Sequence, residues 1–238
     1  MTAKNAGKAR VAQGAARPIL SAGLATAAAL AILISLGVWQ LHRLHWKQGL
    51  LAQIDAAEHA PPRELTDTTP PLFTRVTVQG VFRGDKAALY GAEVRGMHMG
   101  AQEIEVLERP GDRPVLVMLG WVATDTGRVP PVAGPATVTG YVRVPEAGSF
   151  LSAADDLEGR HFYTLNPTTI GASLGHADVE PFTLVAMGAP GRWQAAPQPA
   201  ETLPRPVNNH LQYALTWFGL GAALLGVFGV WAFKKEQS

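Results

Sequence analysis

Leu211-Gln212-Tyr213-Ala214-Leu215-Thr216-Trp217-Phe218-Gly219-Leu220-Gly221-Ala222-Ala223-Leu224-Leu225-Gly226-Val227-Phe228-Gly229-Val230-Trp231-Ala232-Phe233 is a run of 23 residues without a charge. At about 1.5 Å per residue, a helix of that length reaches about 34 Å, enough to cross a hydrocarbon core of about 30 Å with some tilt. A second apolar run, residues 19–41, lies near the other end of the chain, and nothing comparable stands between the two. The pair predicts a membrane protein: two transmembrane helices, one N-terminal and one C-terminal, flanking one extracytoplasmic domain. A cleaved leader is the other reading of the first run. Such a leader has an apolar region of only about 7–15 residues, and this run passes directly into Trp39-Gln40-Leu41-His42-Arg43, which offers no small-residue cleavage site.

Charge orients the spans. Lys4, Lys8, Arg10 and Arg17 precede the first run with no acidic residue among them, and Lys234 and Lys235 follow the second. Positive flanks mark the cytoplasmic side, so both termini are expected there. The expected organisation is a cytoplasmic tail (1–18), a first transmembrane helix (19–41), a periplasmic domain (42–205), a second helix with its entry motif (206–233) and a short cytoplasmic tail (234–238). The Ala, Gly, Pro and Arg bias suits a bacterial inner membrane. Setting aside the six flanking cations and Glu236 leaves 14 basic and 18 acidic residues. A segment with that balance and no basic run is a poor nucleic-acid binder.

Between the spans the hydrophobic period shortens to two. Arg75-Val76-Thr77-Val78-Gln79-Gly80-Val81-Phe82 and Ala136-Thr137-Val138-Thr139-Gly140-Tyr141-Val142-Arg143-Val144 alternate, and residues 115–122 form a continuous apolar run suited to a strand buried on both faces. Residues 102–107 and 182–187 read as further strands. Turn signals at Arg83-Gly84-Asp85, Pro110-Gly111-Asp112, Thr126-Gly127 and Pro145-Glu146-Ala147-Gly148 separate them. Asn166-Pro167 offers a cap and a first-turn proline for a short helix reaching Leu174. Residues 195–206 are proline-rich and read as an extended linker. The domain class is therefore β-rich α+β. The first helix is expected to continue past Trp46 towards Glu58, where Pro61-Pro62 stops it.

Within the spans, small residues recur every four positions: Gly23, Ala27, Ala31 and Ser35 on the first, and Gly219 with Ala223 and Ala222 with Gly226 on the second. Such stripes let helices approach closely in lipid, although Ala and Gly are also simply abundant here. Trp39, Trp46, Tyr213 and Trp217 stand where aromatic rings meet headgroups.

The chain has no cysteine, which excludes disulfides, thiolate metal sites and Cys-linked haem. No nucleophile elbow surrounds Ser149, Ser152 or Ser173, and no phosphate loop, His-Glu-x-x-His or dinucleotide fingerprint occurs, so no enzyme is expected. Asp155, Asp156 and Glu158 read as a solvated turn. Met97-His98-Met99 is a soft ligand set that would suit Cu(I), or ordinary packing at a strand end. The strongest constellation is at the mouth of the second span. His210, Tyr213 and Trp217 stand at i, i+3 and i+7, one face of a helix, where the chain enters the bilayer. An imidazole is a usual axial ligand of haem iron, and aromatic flanks could hold a flat macrocycle; the plain alternative is an interfacial histidine solvated by headgroups. On the first span His42, Arg43, His45 and Trp46 reach the same depth, as a second ligand and a propionate clamp or as a snorkelling basic collar.

These residues resemble a known family. Leu36-Gly37-Val38-Trp39-Gln40 with Arg43 and Lys47, and Pro206, Asn208, His210-Leu211, Tyr213-Ala214 and Thr216-Trp217-Phe218, are similar to the terminal motifs of the Surfeit locus protein 1 (Surf/Shy) family of cytochrome c oxidase assembly factors. Residues 76–82 and the segment from Val115 to Val122 resemble its first and central strands. The family usually carries Asn-Arg where Met118-Leu119 stand here. The resemblance implies a helper that binds haem a transiently and assists its insertion into oxidase subunit I, working with subunit I, haem a synthase and membrane lipid. It implicates His210 as the haem ligand; Tyr213, Trp217, Trp39, His42 and Arg43, read from their position, are the candidate residues around it. A scaffold that holds oxidase subunit intermediates without a cofactor is the alternative.

Overall fold

The computed structural model describes residues 3–66, 69–125, 130–146, 148, 153–188 and 197–237, with side chains from Ile19 onward except that of Glu236. The turn expected at Thr126-Gly127, the residues Ala147, Ser149 and Ser152, the start of the proline-rich linker at 195–196 and the side chains of Lys4, Lys8, Arg10 and Arg17 lie outside the described residues. The chain divides into two compact units, Met1–Ala52 with Pro206–Ser238, and Gln53–Arg205.

The first unit is a pair of long helices, α1 (Ala3–His59) and α3 (His210–Glu236). Both are long and apolar enough to cross a membrane, with mean hydropathies of 2.3 and 1.7 over their most apolar stretches. On α1 the buried or half-buried positions include the series Gly23, Thr26, Leu30, Leu33, Gly37, Gln40, Leu44 and Lys47, with Ala22, Ala29, Leu36 and Leu41 half-buried at its side; on α3 they include His210, Ala214, Trp217, Gly221, Leu224 and Phe228. Steps of three and four alternate along both, the 3.5-residue period of a left-handed helix pair. This differs from the stripes expected at intervals of four. Ala27, Ala31 and Ser35 are exposed, as are Gly219, Ala222, Ala223 and Gly226. A period of four drifts round a 3.6-residue helix and leaves the seam after two turns. Close approach is made instead at Gly37, where an added Cβ would lie 2.4 Å from the Phe218 ring, and at Gly221, 3.2 Å from Leu30 Cδ1.

The second unit is β-rich, as the period-two pattern requires. Its strands among the described residues are β1 (Arg63–Glu64), β2 (Arg75–Arg83), β3 (Ala88–Arg95), β4 (His98–Glu108), β5 (Val115–Ala123), β6 (Ala133–Arg143), β7 (His161–Phe162) and β8 (Thr183–Ala186), with the short helix α2 (Pro167–Ser173) and the last turns of α1. The strands run in the order β2-β6-β8-β5-β4, and β4 returns to β2 through Val81↔Glu108 and Phe82↔Leu107. The ring is therefore closed, antiparallel throughout except where β5 pairs β8. This is the strand order of an OB-type Greek-key barrel, here with α2 in the connection before the last strand. Closure depends on Gly80, where a Cβ would sit 2.4 Å from the Glu108 carbonyl.

Val76, Val78, Phe82, Leu107, Val115, Val117, Val138, Val142, Phe182 and Leu184 fill the core. Leu116 and Met118 are buried as well, so β5 is covered on both faces as its apolar run predicts. Leu119 is the bulged residue of β5, between partners Met118↔Ile104 and Gly120↔Glu103. Gly120 takes φ +142°, and its missing side chain leaves room for the backbone of Gln198, which exchanges two 2.9 Å hydrogen bonds with Trp121. Leu119 lines an apolar cavity of about 280 Å³ with Phe82, Val132, Val138 and Pro199. In this chain, then, Met118-Leu119 serve packing.

The helix expected after Asn166 is α2: Asn166 Oδ1 accepts from Thr169 N at 3.3 Å, Pro167 opens the first turn, and Ile170 is buried. α1 stops at His59, two residues before Pro61-Pro62. Within this unit Arg205 pairs with Asp55 at 2.6 Å and with Glu58, and its guanidinium, hydrogen-bonded to Glu58, holds that carboxyl below the usual carboxylate range. On β4, Glu103 and Glu105 are almost wholly buried. Glu105 accepts the Val132 N–H at 2.7 Å, and burial pushes its carboxyl up.

Candidate functional site

The first turn of α3 sets the site. Asn209 precedes it without a side-chain cap, and the chain is steadied there by Lys47, whose ammonium donates to the Val207 carbonyl. His210 follows at the start of the seam, half-buried. Its Nδ1 stands 2.7 Å from Oε1 of Gln40, a residue only 9% exposed on α1. Among the described residues Nε2 of His210 has no protein partner. Among the described residues of this unit, two buried polar atoms lack one: Oδ1 of Asn208, two residues before His210, and Nε1 of Trp217, two turns after it. A buried acceptor and a buried donor left without partners are costly. They mark a place where a polar ligand group would be welcome.

The other residues singled out from sequence fall into two sets. Arg43 stands three positions after Gln40, and Tyr213 three after His210, so each is turned about 60° from the seam in the same rotational sense. In helices that run antiparallel, equal offsets meet on one side of the pair. Trp39, Arg43 and Trp46, at i, i+4 and i+7, share that flank of α1. Trp39 is 57% exposed, Trp46 53% and Tyr213 54%, and the Arg43 guanidinium lies over the Trp46 ring, 3.9 Å from its centroid. The flank is thus an open aromatic wall with a cation at the level of His210. Trp217 shares the seam with His210 rather than this flank. His42 is exposed and lies on the far side of α1, about 160° from Gln40 by helical phase. His45 is exposed too.

Sequence reasoning missed Gln40 as a site residue. A 3.5-residue count along α1 finds it: among Leu33, Gly37 and Leu44, it is the one amide in the seam. The soft set Met97-His98-Met99 lies in the barrel unit at the β3–β4 hairpin. Met97 is 94% exposed and His98 pairs with Asp125 at 3.3 Å. Among the described residues, no group of three His, Asp or Glu side chains is disposed to hold a metal ion.

The chain matches the SURF1 family over residues 27–222, which takes in the barrel, the His210 turn and the seam from Leu30 to Lys47 on α1. A SURF1-like protein of Rickettsia conorii is 29% identical over 208 residues, covering 84% of this chain and 86% of that protein. One of Rickettsia felis is 29% identical over 215 residues, 84% and 92% of the two chains. One of Drosophila melanogaster is 28% identical over 218 residues, 79% and 70%.

Proposed function

Since the chain belongs to the SURF1 family, a family of cytochrome oxidase assembly factors, we propose that it is anchored in a bacterial inner membrane by α1 and α3, with both termini cytoplasmic, and carries haem a to oxidase subunit I on His210. The observation that carries this reading is the imidazole of His210, whose Nδ1 is engaged by Gln40 while Nε2 has no protein partner among the described residues. The residues fit the cargo. A neutral imidazole supplies one axial bond to iron. The Trp39 and Tyr213 faces suit a flat macrocycle, and Arg43 matches a propionate with its guanidinium fork. The apolar tail of the cargo stays in lipid beside the open flank, where its transfer to water would cost roughly 0.8 kcal/mol per CH₂. An open flank with one protein ligand also allows release, which a closed two-ligand pocket would resist. Haem a synthase upstream and subunit I downstream are the partners of this reading.

The test is His210→Ala in cells that depend on this chain for oxidase assembly. The variant protein should persist at the level of the unaltered one, while haem a per subunit I in the membranes falls severalfold. Unchanged haem a content would refute carriage. A second reading, a scaffold for subunit intermediates without cargo, draws on the β3–β4 hairpin, whose Val94, Met97 and Met99 are 65%, 94% and 56% exposed. Apolar side chains grouped at a tip suit a protein partner. On that reading subunit I co-purifies with the His210→Ala variant and haem content is untouched.

A further inference from the structure

Gln40 is the one amide in the α1 series from Gly23 to Lys47 that forms the seam. On α1 its seam neighbours are Leu33, Gly37 and Leu44, and it is 9% exposed. Burying an amide costs free energy unless its hydrogen bonds are made, and its carbonyl makes one, to His210 Nδ1 at 2.7 Å. An amide oxygen only accepts. The imidazole must therefore carry its proton on Nδ1, and in the neutral ring the lone pair then sits on Nε2. An imidazole left to itself in water favours the opposite tautomer, with the proton on Nε2 and no lone pair there for a metal.

We infer that Gln40 is the positioning residue for His210: it fixes the tautomer and the ring orientation that offer Nε2 to a metal. Partners of this kind orient histidine ligands and set their basicity, and their loss typically costs 10–100-fold in metal affinity. The choice of an amide has a second consequence. A carboxylate at this position would draw the Nδ1 proton and make the ring a stronger donor to iron; a neutral carbonyl holds the orientation without that gain. The result is a ligand presented in advance without the added donor strength a carboxylate partner would give, as suits cargo that must leave again. The inference rests on the haem-carrier reading for its purpose, but the tautomer itself is a property of the cargo-free chain.

The experiment uses the full chain in detergent, labelled with ¹⁵N-histidine, with Gln40→Leu, Gln40→Glu and His210→Ala. In the cargo-free protein the His210 nitrogen shifts, identified by their loss in His210→Ala, should report protonated Nδ1 in the unaltered chain. In Gln40→Leu they should move to the Nε2-protonated form. Leu fits an apolar seam, so the helix pair is retained, and circular dichroism verifies this. Titration with haem a should then show affinity 10–100-fold lower in Gln40→Leu. In Gln40→Glu the affinity should be equal or higher and the iron midpoint potential more negative. An unchanged tautomer in Gln40→Leu overturns the inference, as does unchanged haem affinity and potential in both Gln40 variants while His210→Ala binds none. If His210→Ala binds haem as well as the unaltered chain, it is the carrier reading that fails, and the tautomer measurement still decides the role of Gln40.

Discussion

Replacing Gly37 by alanine probes the seam that holds His210 in place. The new methyl would lie 2.4, 2.6 and 2.9 Å from Cε1, Cζ and Cδ1 of Phe218. Carbon pairs prefer about 3.5–4.0 Å, so the nearest contact must open by more than about 1 Å. The obstacle is the far end of a side chain, and the ring can turn. A turn of about 30° off a rotamer costs roughly 0.5–1.5 kcal/mol, and overpacking of this kind costs about 1–3 kcal/mol in all. Against this, alanine is favoured over glycine inside a helix by about 1 kcal/mol. The single substitution should therefore loosen the pair by about 0–2 kcal/mol. In a Phe218→Ala background the clash is gone and the same substitution should tighten it. The sign reversal is the signature, with a coupling energy of about 1–3 kcal/mol.

Since the chain has no cysteine, Leu30→Cys with Gly221→Cys gives one thiol pair across the seam. Its thiol–disulfide equilibrium, read in each of the four backgrounds, should show the coupling as about a 5–150-fold change in effective concentration. Additive effects, with coupling below about 0.5 kcal/mol, would show that Gly37 and Phe218 do not meet and would refute this packing.

Two predictions concern the barrel. Gly120→Ala meets the Gln198 carbonyl at 2.0 Å and must hold φ +142°; strain and overpacking together should cost about 2–5 kcal/mol, lowering the Tm by roughly 5–20 °C in calorimetry of the full chain. Glu105→Gln keeps an acceptor for Val132 N–H and removes a carboxyl whose folded pKa is raised by burial. In the native protein that group binds its proton more tightly when folded, so stability is full below the unfolded carboxylate range and falls as pH rises through the folded value. The variant should therefore have the flatter stability–pH profile on the neutral side and be the more stable chain at pH 8, as measured by denaturant unfolding.

Strands β2, β5 and β6 were legible because each states its burial in its residues: alternation in two, and an unbroken apolar run in the third. β3 was not, since its outer half, Glu93 to Arg95, is exposed and Gly91 at φ +70° interrupts the pattern. β1 and β7 have two residues each, too few to carry a period. Barrel closure is equally silent in composition. It depends on Gly80 meeting Glu108 across residues far apart in sequence, a fact of register rather than of local propensity. β4 was read from residue 102 on but not over His98 to Ala101, where Met99 and Gly100 give no period-two signal; the burial of Glu103 and Glu105 was not legible either, because both look like surface residues. At the helix pair, the His210 turn was visible from its spacing. Its partner was not, because intervals of four drew attention to outward-facing small residues, whereas the 3.5-residue seam runs through Gly37, Gln40 and Leu44.

The claim that His210 is a haem ligand is tested most directly by an absorption spectrum of the full chain, purified in detergent from cells that make haem a. The account predicts a Soret band and the α band of haem a at up to one haem per chain, both lost in His210→Ala purified from the same cells at equal yield. A spectrum free of haem in the unaltered chain, or one that survives His210→Ala intact, would contradict it.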